Sequence, residues 1–309
     1  MFSYGASGFI GSYLVEFLLQ KGDSVCACGQ RFGPRFSNLI GNLVICKGNI
    51  QKSDYVKNVV LDYKPDVIFH LAAQSFPNVS WKDPALTFQV NTIGTINILE
   101  AILKAKLKPR IILVSSSGVY ALTTGPEPIK EDYPIDPSSP YGVSKLLQEH
   151  LSKLYIKRYE MDVILVRPFF FIGPRKVGDV CSDFARSIVA IERGHRSNIE
   201  VGNLEIVRDF LDVRDGIEAL CLIANKGVTG ETYNICSGEG YSLRCVLDFF
   251  NKQSKYTVYE KIDSSKIRPI DELVRIGDPR KIKMLGWHPL REIEVTLAEI
   301  LQFWRAEEF

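Results

Sequence analysis

The segment Gly5-Ala6-Ser7-Gly8-Phe9-Ile10-Gly11 restricts this chain more than any other stretch of its 309 residues. Only Met1-Phe2-Ser3-Tyr4 precedes it, which leaves room for one very short strand. The residues after it are helical in pattern. Phe9, Ile10, Leu14, Phe17 and Leu18 recur at intervals that put them on one face between Phe9 and Gln20. A glycine turn between strand and helix lets the backbone double back tightly and presents bare N–H groups at a helix start. That context suits the pyrophosphate of a dinucleotide, with Gly5, Ser7, Gly8, Phe9 and Ile10 as its contacts. In an arbitrary loop the same glycines would only make a turn.

The alternation continues through the first half. Ser24–Cys28, Leu43–Cys46, Val67–His70, Ile111–Val114 and Val163–Val166 are short apolar runs of the kind buried in parallel sheets. Helical patterns at Lys52–Leu61, Ala85–Ala105 and Pro140–Tyr159 separate them. The expected fold class is therefore α/β: a Rossmann-type doubly wound parallel sheet over residues 1–167. Beyond Arg167, glycine and proline breaks fall at 173–178, 227–230 and 238–240, among shorter helical patterns at Ser182–Arg193, Arg214–Ala224 and Ser242–Lys252. Residues 168–309 are expected to form a smaller, interleaved α/β lobe that binds substrate and returns some segments to the first domain.

Composition narrows the function classes. With 46% hydrophobic and 24% charged residues the chain reads as globular, and a formal net charge of +2 argues against a dedicated nucleic-acid surface. Uninterrupted apolar runs fall short of 18 residues and no basic start precedes an apolar core, so no membrane span and no signal peptide are expected. The seven cysteines are odd in number and lack a CxxC pair, which favours buried free thiols in a reducing, cytoplasmic compartment. Cys26-Ala27-Cys28 alternates like any strand, and the four histidines are scattered, so no metal site is expected.

Chemistry first shows at Tyr141-Gly142-Val143-Ser144-Lys145. Four residues apart on a helix, the tyrosine and lysine stack on one face. An ammonium there would lower the phenol's pKa from about 10 toward neutrality and let it exchange a proton. Such a pair is also common on solvated faces. Ser138-Ser139-Pro140 marks the helix start, with a serine cap and proline at the first helical position. Upstream, Ile111–Val114 runs into Ser115-Ser116-Ser117-Gly118, placing hydroxyls at the carboxyl end of a strand, where open α/β sheets bind ligands. An ordinary Ser/Gly turn would look the same.

Taken together these motifs resemble the extended short-chain dehydrogenase/reductase family of nucleotide-sugar epimerases, dehydratases and reductases. The likeness extends to His70-Leu71-Ala72-Ala73, Asn91-Thr92-Ile93-Gly94-Thr95 and Arg167-Pro168-Phe169 with Gly173-Pro174. Val201-Gly202-Asn203-Leu204-Glu205, Arg208-Asp209-Phe210, Asp212-Val213-Arg214-Asp215, Arg268-Pro269, Gly277-Asp278-Pro279 and Leu285-Gly286-Trp287 resemble the GDP-mannose 4,6-dehydratase and GDP-4-keto-6-deoxymannose reductase group, the reductase most closely.

The resemblance implies roles. Ser116, counted back from Tyr120, takes the catalytic Ser/Thr position, Tyr141 is the general acid/base, and Lys145 tunes it and bonds the nicotinamide ribose. Leu71, Ala72 and Ala73 line the cofactor, and Asn49 with Ile50 hold the adenine where the family usually has aspartate. Cys28-Gly29-Gln30-Arg31 offers no carboxylate for ribose hydroxyls, so Arg31 points to NADP through a 2′-phosphate; with Arg31 and Arg35 as mere loop charges, NAD would also serve. For substrate the resemblance implies Ser116, Asn203, Arg208 on the diphosphate and Arg268, with Asp179–Arg186 walling the guanosine. Arg208 could instead pair with Asp209. Phe170 stands where the family commonly has asparagine.

Dehydratases of the family carry glutamate two residues after the Ser/Thr, and here that residue is Gly118, which cannot act as a base. The expected activity is therefore NAD(P)H-dependent reduction of the C4 ketone of GDP-4-dehydro-6-deoxy-D-mannose to GDP-D-rhamnose. A 4-epimerase retaining tightly bound NAD is the alternative, and a non-catalytic dinucleotide sensor a third reading. A homodimer through Ala85–Ala105 and Pro140–Tyr159 is expected from the family.

Overall fold

In the computed structural model, which describes residues 1–123, 125–267 and 272–307, the apolar runs of the first half become six strands. These are β1 (Phe2–Tyr4), β2 (Val25–Gly29), β3 (Leu43–Lys47), β4 (Val67–His70), β5 (Arg110–Val114) and β6 (Val163–Pro168). Shorter strands follow: β7 (Phe170–Ile172), β8 (Asn198–Val201), β9 (Val207–Arg208), β10 (Phe210–Asp212), β11 (Thr232–Ile235), β12 (Tyr241–Ser242), β13 (Tyr259–Ile262) and β14 (Val274–Arg275). Among the described residues, β11 joins the first six in a seven-stranded sheet of order β11-β6-β5-β4-β1-β2-β3, parallel throughout. This is the Rossmann-type doubly wound arrangement. The remaining strands pair in small sheets, β7 with β10, β9 between β12 and β14, and β8 with β13.

Strand alternation feeds two cores. Val25, Ala27, Ile112, Val114, Ile164 and Val166 point to one face, and Cys26, Cys28, Ile111, Leu113, Val163 and Leu165 to the other. The helices that cover them are α1 (Phe9–Gln20), α2 (Ser53–Tyr63), α3 (Pro77–Lys82), α4 (Pro84–Phe88), α5 (Gly94–Ala105), α6 (Pro140–Tyr159), α7 (Val180–Glu192), α8 (Val213–Lys226), α9 (Leu243–Gln253), α10 (Arg280–Lys283) and α11 (Ile293–Ala306). Leu14, Val15 and Leu18 of α1 close the first core with Ile217, Leu220 and Ile223 of α8. Val56 and Val60 of α2 close the second with Ile98 and Ile102 of α5. Full burial of each such side chain is worth about 1.5–3 kcal/mol. A third core belongs to the C-terminal half, where Phe184 and Ile188 of α7 meet Phe250 of α9 and Leu297, Ile300 and Trp304 of α11.

Two departures from the sequence reading bear on the site. The helix expected over Ala85–Ala105 is split by a π-turn at Gln89–Ile93, between α4 and α5. Helices α3, α10 and α11 were not anticipated at all. The combined segment Pro84–Ala105 is long and apolar enough to cross a membrane by length and composition alone, and 44% of its most apolar window is buried inside the fold.

Candidate active site

The carboxyl ends of β1, β4 and β5 converge beside the start of α6. Ser139 caps that helix by accepting from the Gly142 amide at 3.1 Å, and Pro140 occupies its first position. Gly142 is required here, because a Cβ would lie 2.4 Å from the Gly118 carbonyl oxygen. This close approach brings Tyr141 against the turn after β5, beside Ser116. Ser116 also caps its own turn, accepting from the Gly118 amide at 3.0 Å. A Cβ at Gly118 would stand 3.3 Å from Ser116 Oγ and 3.8 Å from the Tyr141 ring. The position where a dehydratase carries glutamate therefore adjoins the Ser116 hydroxyl and the edge of the Tyr141 ring, and here it is bare.

Lys145 is buried one turn on. Its Nζ donates to the Val114 carbonyl at 2.8 Å and lies 6.0 Å from the Tyr141 ring centroid. The electrostatics differ from the sequence expectation. Burial pushes the Tyr141 phenol up, and the neighbouring Ser116 hydroxyl opposes this. Lys145 is itself pulled down to about 7 by desolvation, against an upward pull from Glu149. An ammonium can tune a phenol only while it keeps its proton, and burial weakens that hold.

This shift has a checkable sign. Below about pH 7 native and unfolded chains both hold the lysine proton, and the cost of burying the charge is fully present. From about pH 7 to about pH 10 the unfolded chain keeps the proton and the native one releases it, so stability rises with pH. Urea midpoints of cofactor-free protein should climb across that window in the wild type, and Lys145→Met should flatten this part of the slope.

Residues that sequence reasoning gave no role position the pair. On the π-turn, Asn91 accepts from the Gln74 amide (2.8 Å) and donates to the Gln74 carbonyl (3.1 Å) and Ser144 Oγ (2.8 Å), while Ser144 donates to the Tyr141 carbonyl (2.7 Å). Behind Lys145, the fully buried His70 shares a hydrogen bond with Thr95 (2.8 Å), and its imidazole is held neutral by burial first and Lys145 second, at about 3. One turn further, Glu149 receives both arms of Arg167 at 2.9 and 2.7 Å.

The glycine turn forms a cradle. Gly5 has φ +86°, and a Cβ on it would lie 2.7 Å from the Ala72 backbone nitrogen. At Gly11 a Cβ would fall 2.2 Å from the Gly5 oxygen, so only hydrogen lets α1 sit this close to β1. Ser7 and Gly8 are exposed, and Gly8 leaves the first turn of α1 without a side-chain cap. Open amides at a helix start, beside the Leu71–Ala73 backbone at the end of β4, fit a dinucleotide pyrophosphate. Phe9 and Ile10 point the other way, packing on the first core.

The adenosine end agrees less well with expectation. Arg31 is exposed after β2, but Arg35 turns away to donate to Ser12 Oγ at 3.1 Å. Asn49 is engaged locally, accepting from the Gln51 amide (2.9 Å) and donating to the Gln51 side chain (2.8 Å). Ile50 is buried in the second core against Gly94.

Among the substrate residues, Arg208 lies 5.5 Å from the Phe170 ring centroid and donates to its own Val207 carbonyl. Asp209 is fully buried and accepts from Ser237, Gly238 and Gly277, which tie β9 to two neighbouring loops. Desolvation raises its carboxyl to about 6. Asn203 closes a tight turn on the Glu205 amide at 3.0 Å, and Asp179 caps α7 through the Ser182 amide at 2.8 Å. Arg268 lies outside the described residues.

Comparison with known proteins places this geometry. A GDP-mannose 4,6 dehydratase family profile matches residues 4–300. A GDP-6-deoxy-D-mannose reductase of Pseudomonas aeruginosa is 32% identical over 246 residues, 78% of this chain and 81% of the relative. The structure of RMD from Pseudomonas aeruginosa complexed with NADPH superimposes with TM-score 0.86 at 27% identity, covering 99% of this chain and 98% of that one. The Thermus thermophilus UDP-glucose 4-epimerase complex with NAD gives TM-score 0.89 at 26% identity, with coverage of 99% and 98%. With its glycine cradle, its Ser116–Tyr141–Lys145 arrangement and a family match over nearly its whole length, the chain belongs to the GDP-mannose 4,6 dehydratase family of extended short-chain dehydrogenases/reductases.

Proposed function

We propose that this chain is a nucleotide-sugar oxidoreductase that reduces the C4 ketone of a GDP-4-keto-6-deoxyhexose, converting GDP-4-dehydro-6-deoxy-D-mannose to GDP-D-rhamnose. The carrying observation is Gly118, which leaves no carboxylate beside Ser116 and Tyr141. A dehydratase needs a base there to break a C–H bond, and a ketone reduction does not. A reduced nicotinamide dinucleotide bound at the glycine cradle supplies the hydride. Tyr141 gives its proton to the sugar oxygen as charge develops on it, and Ser116 hydrogen-bonds the same oxygen. Lys145, held by Val114 and with its charge favoured by Glu149, is the proposed ribose contact.

NADP is the proposed cofactor, because the loop after β2 offers Arg31 and no acid. Arg31→Ala should weaken NADPH binding about 10-fold in titration calorimetry and leave NADH unchanged. Arg208 is proposed to hold the diphosphate. Arg208→Ala should raise KM for the sugar nucleotide about 10–100-fold with a smaller change in kcat.

The test of the reaction is consumption of NADPH by purified protein with GDP-4-dehydro-6-deoxymannose, followed by the nicotinamide absorbance. The epimerase reading, favoured by the likeness to the Thermus enzyme, instead requires stoichiometric NAD in the purified protein and no consumption of added NADPH. We further propose a cytoplasmic homodimer, with Val143, Leu147 and Leu154 on the exposed face of α6 as its contact. Sedimentation at micromolar concentration would reveal a monomer if this is wrong.

A further inference from the structure

We propose that Cys26, Cys28 and Cys46 form a binding site for one soft, thiophilic d10 cation, Cu⁺ or Zn²⁺, within the second core at the β2–β3 edge of the main sheet. Alternation puts Cys26 and Cys28 on the same face of β2, and the register sets Cys46 on β3 directly opposite Cys28. Spacing along the chain hides this, because the third thiol comes from another strand. The Cys26 and Cys28 sulfurs are 3.8 Å apart, those of Cys26 and Cys46 are 3.3 Å apart, and all three lie within 4.8 Å of one another. A trigonal cation with metal–sulfur bonds of about 2.3 Å spaces its ligands about 4.0 Å apart, so small side-chain adjustments suffice. An all-sulfur donor set selects soft metals over Mg²⁺ or Ca²⁺.

A second observation points the same way. The Tyr4 hydroxyl is buried, with the residue 1% exposed, and it has no hydrogen-bond partner although it feels all three cysteines. Leaving a buried hydroxyl unpaired is costly, and a metal-bound thiolate would accept from it. Cys46 is half-buried, which opens a path for the ion. Each thiol that ligates releases its proton to solvent, so uptake weakens as pH falls. Three thiols packed only as small apolar groups would show none of this behaviour.

The test is anaerobic titration of the reduced full-length chain with Cu⁺, and separately with Zn²⁺. Thiolate-to-copper charge-transfer absorption follows the first, and competition with a chromophoric chelator follows both. Saturation at one equivalent, with a rise in Tm, is expected in the wild type and in Cys245→Ser, whose thiol lies outside the cluster. Cys46→Ser should lose both effects, and its partly exposed position keeps the fold testable by circular dichroism. Tyr4→Phe should bind one equivalent about 10–100-fold more weakly. X-ray absorption should count three sulfur neighbours. The proposal fails if no stoichiometric uptake occurs, if Cys46→Ser binds like the wild type, or if a Cys26–Cys46 disulfide forms on mild peroxide treatment while added metal is ignored.

Discussion

Tyr141→Phe should lower kcat for ketone reduction by about 10²–10⁴-fold while leaving the fold and nucleotide affinity intact. The substitution deletes one oxygen and keeps the ring that packs beside Gly118. What disappears is the hydroxyl beside Ser116, the proposed proton donor. Steady-state rates with saturating NADPH, together with cofactor titration by nicotinamide fluorescence, measure the two quantities separately. Ser116→Ala should reduce kcat in a similar range, and the double variant should lose less than the product of the two, since both groups serve one oxygen. Turnover kept within a few-fold of wild type in Tyr141→Phe would end the assignment.

The largest effect on stability is expected at Arg167. Glu149 and Arg167 form a bidentate pair with side chains only 1% and 4% exposed, and Arg167 also donates to the Glu131 carbonyl and lies over the Tyr120 ring. Arg167→Ala leaves the Glu149 charge buried and unpaired, which should cost about 3–5 kcal/mol in urea unfolding. Replacing both partners, as in Glu149→Leu with Arg167→Met, should cost much less, because the desolvation of both ions is removed together with their attraction. The pair also reaches the site. Glu149 raises the Lys145 pKa, so Glu149→Gln should drive it further below about 7 and move the alkaline limb of any step that needs the Lys145 ammonium to lower pH. An Arg167→Ala variant as stable as the double replacement would show that the pair carries no such charge penalty.

Some features were legible because they depend on near neighbours in the chain. The Ser139 cap, Pro140 and the Tyr141/Lys145 spacing describe one helix, and that helix forms over Pro140–Tyr159 as read. The glycines at 5 and 11 likewise encode a local backbone need. Other features were hidden because they arise between distant segments. Asn91 reaches Ser144 only because a π-turn interrupts the helix expected over Ala85–Ala105. Arg35 donates to Ser12, and Asn49 bonds Gln51, contacts no sequence spacing announced.

Periodicity and turn chemistry are written in spans of ten residues or fewer, so the amino-acid order alone specified the α/β class and the glycine cradle and singled out Tyr141 as the proposed proton donor. Charge behaviour and side-chain company belong to the assembled molecule. Only packing removed water from Lys145 and lowered its pKa, and only the register of β2 on β3 gathered three thiols around an unpaired tyrosine hydroxyl. Desolvation and register are properties of surfaces brought together from far along the chain, and no short stretch of sequence contains them.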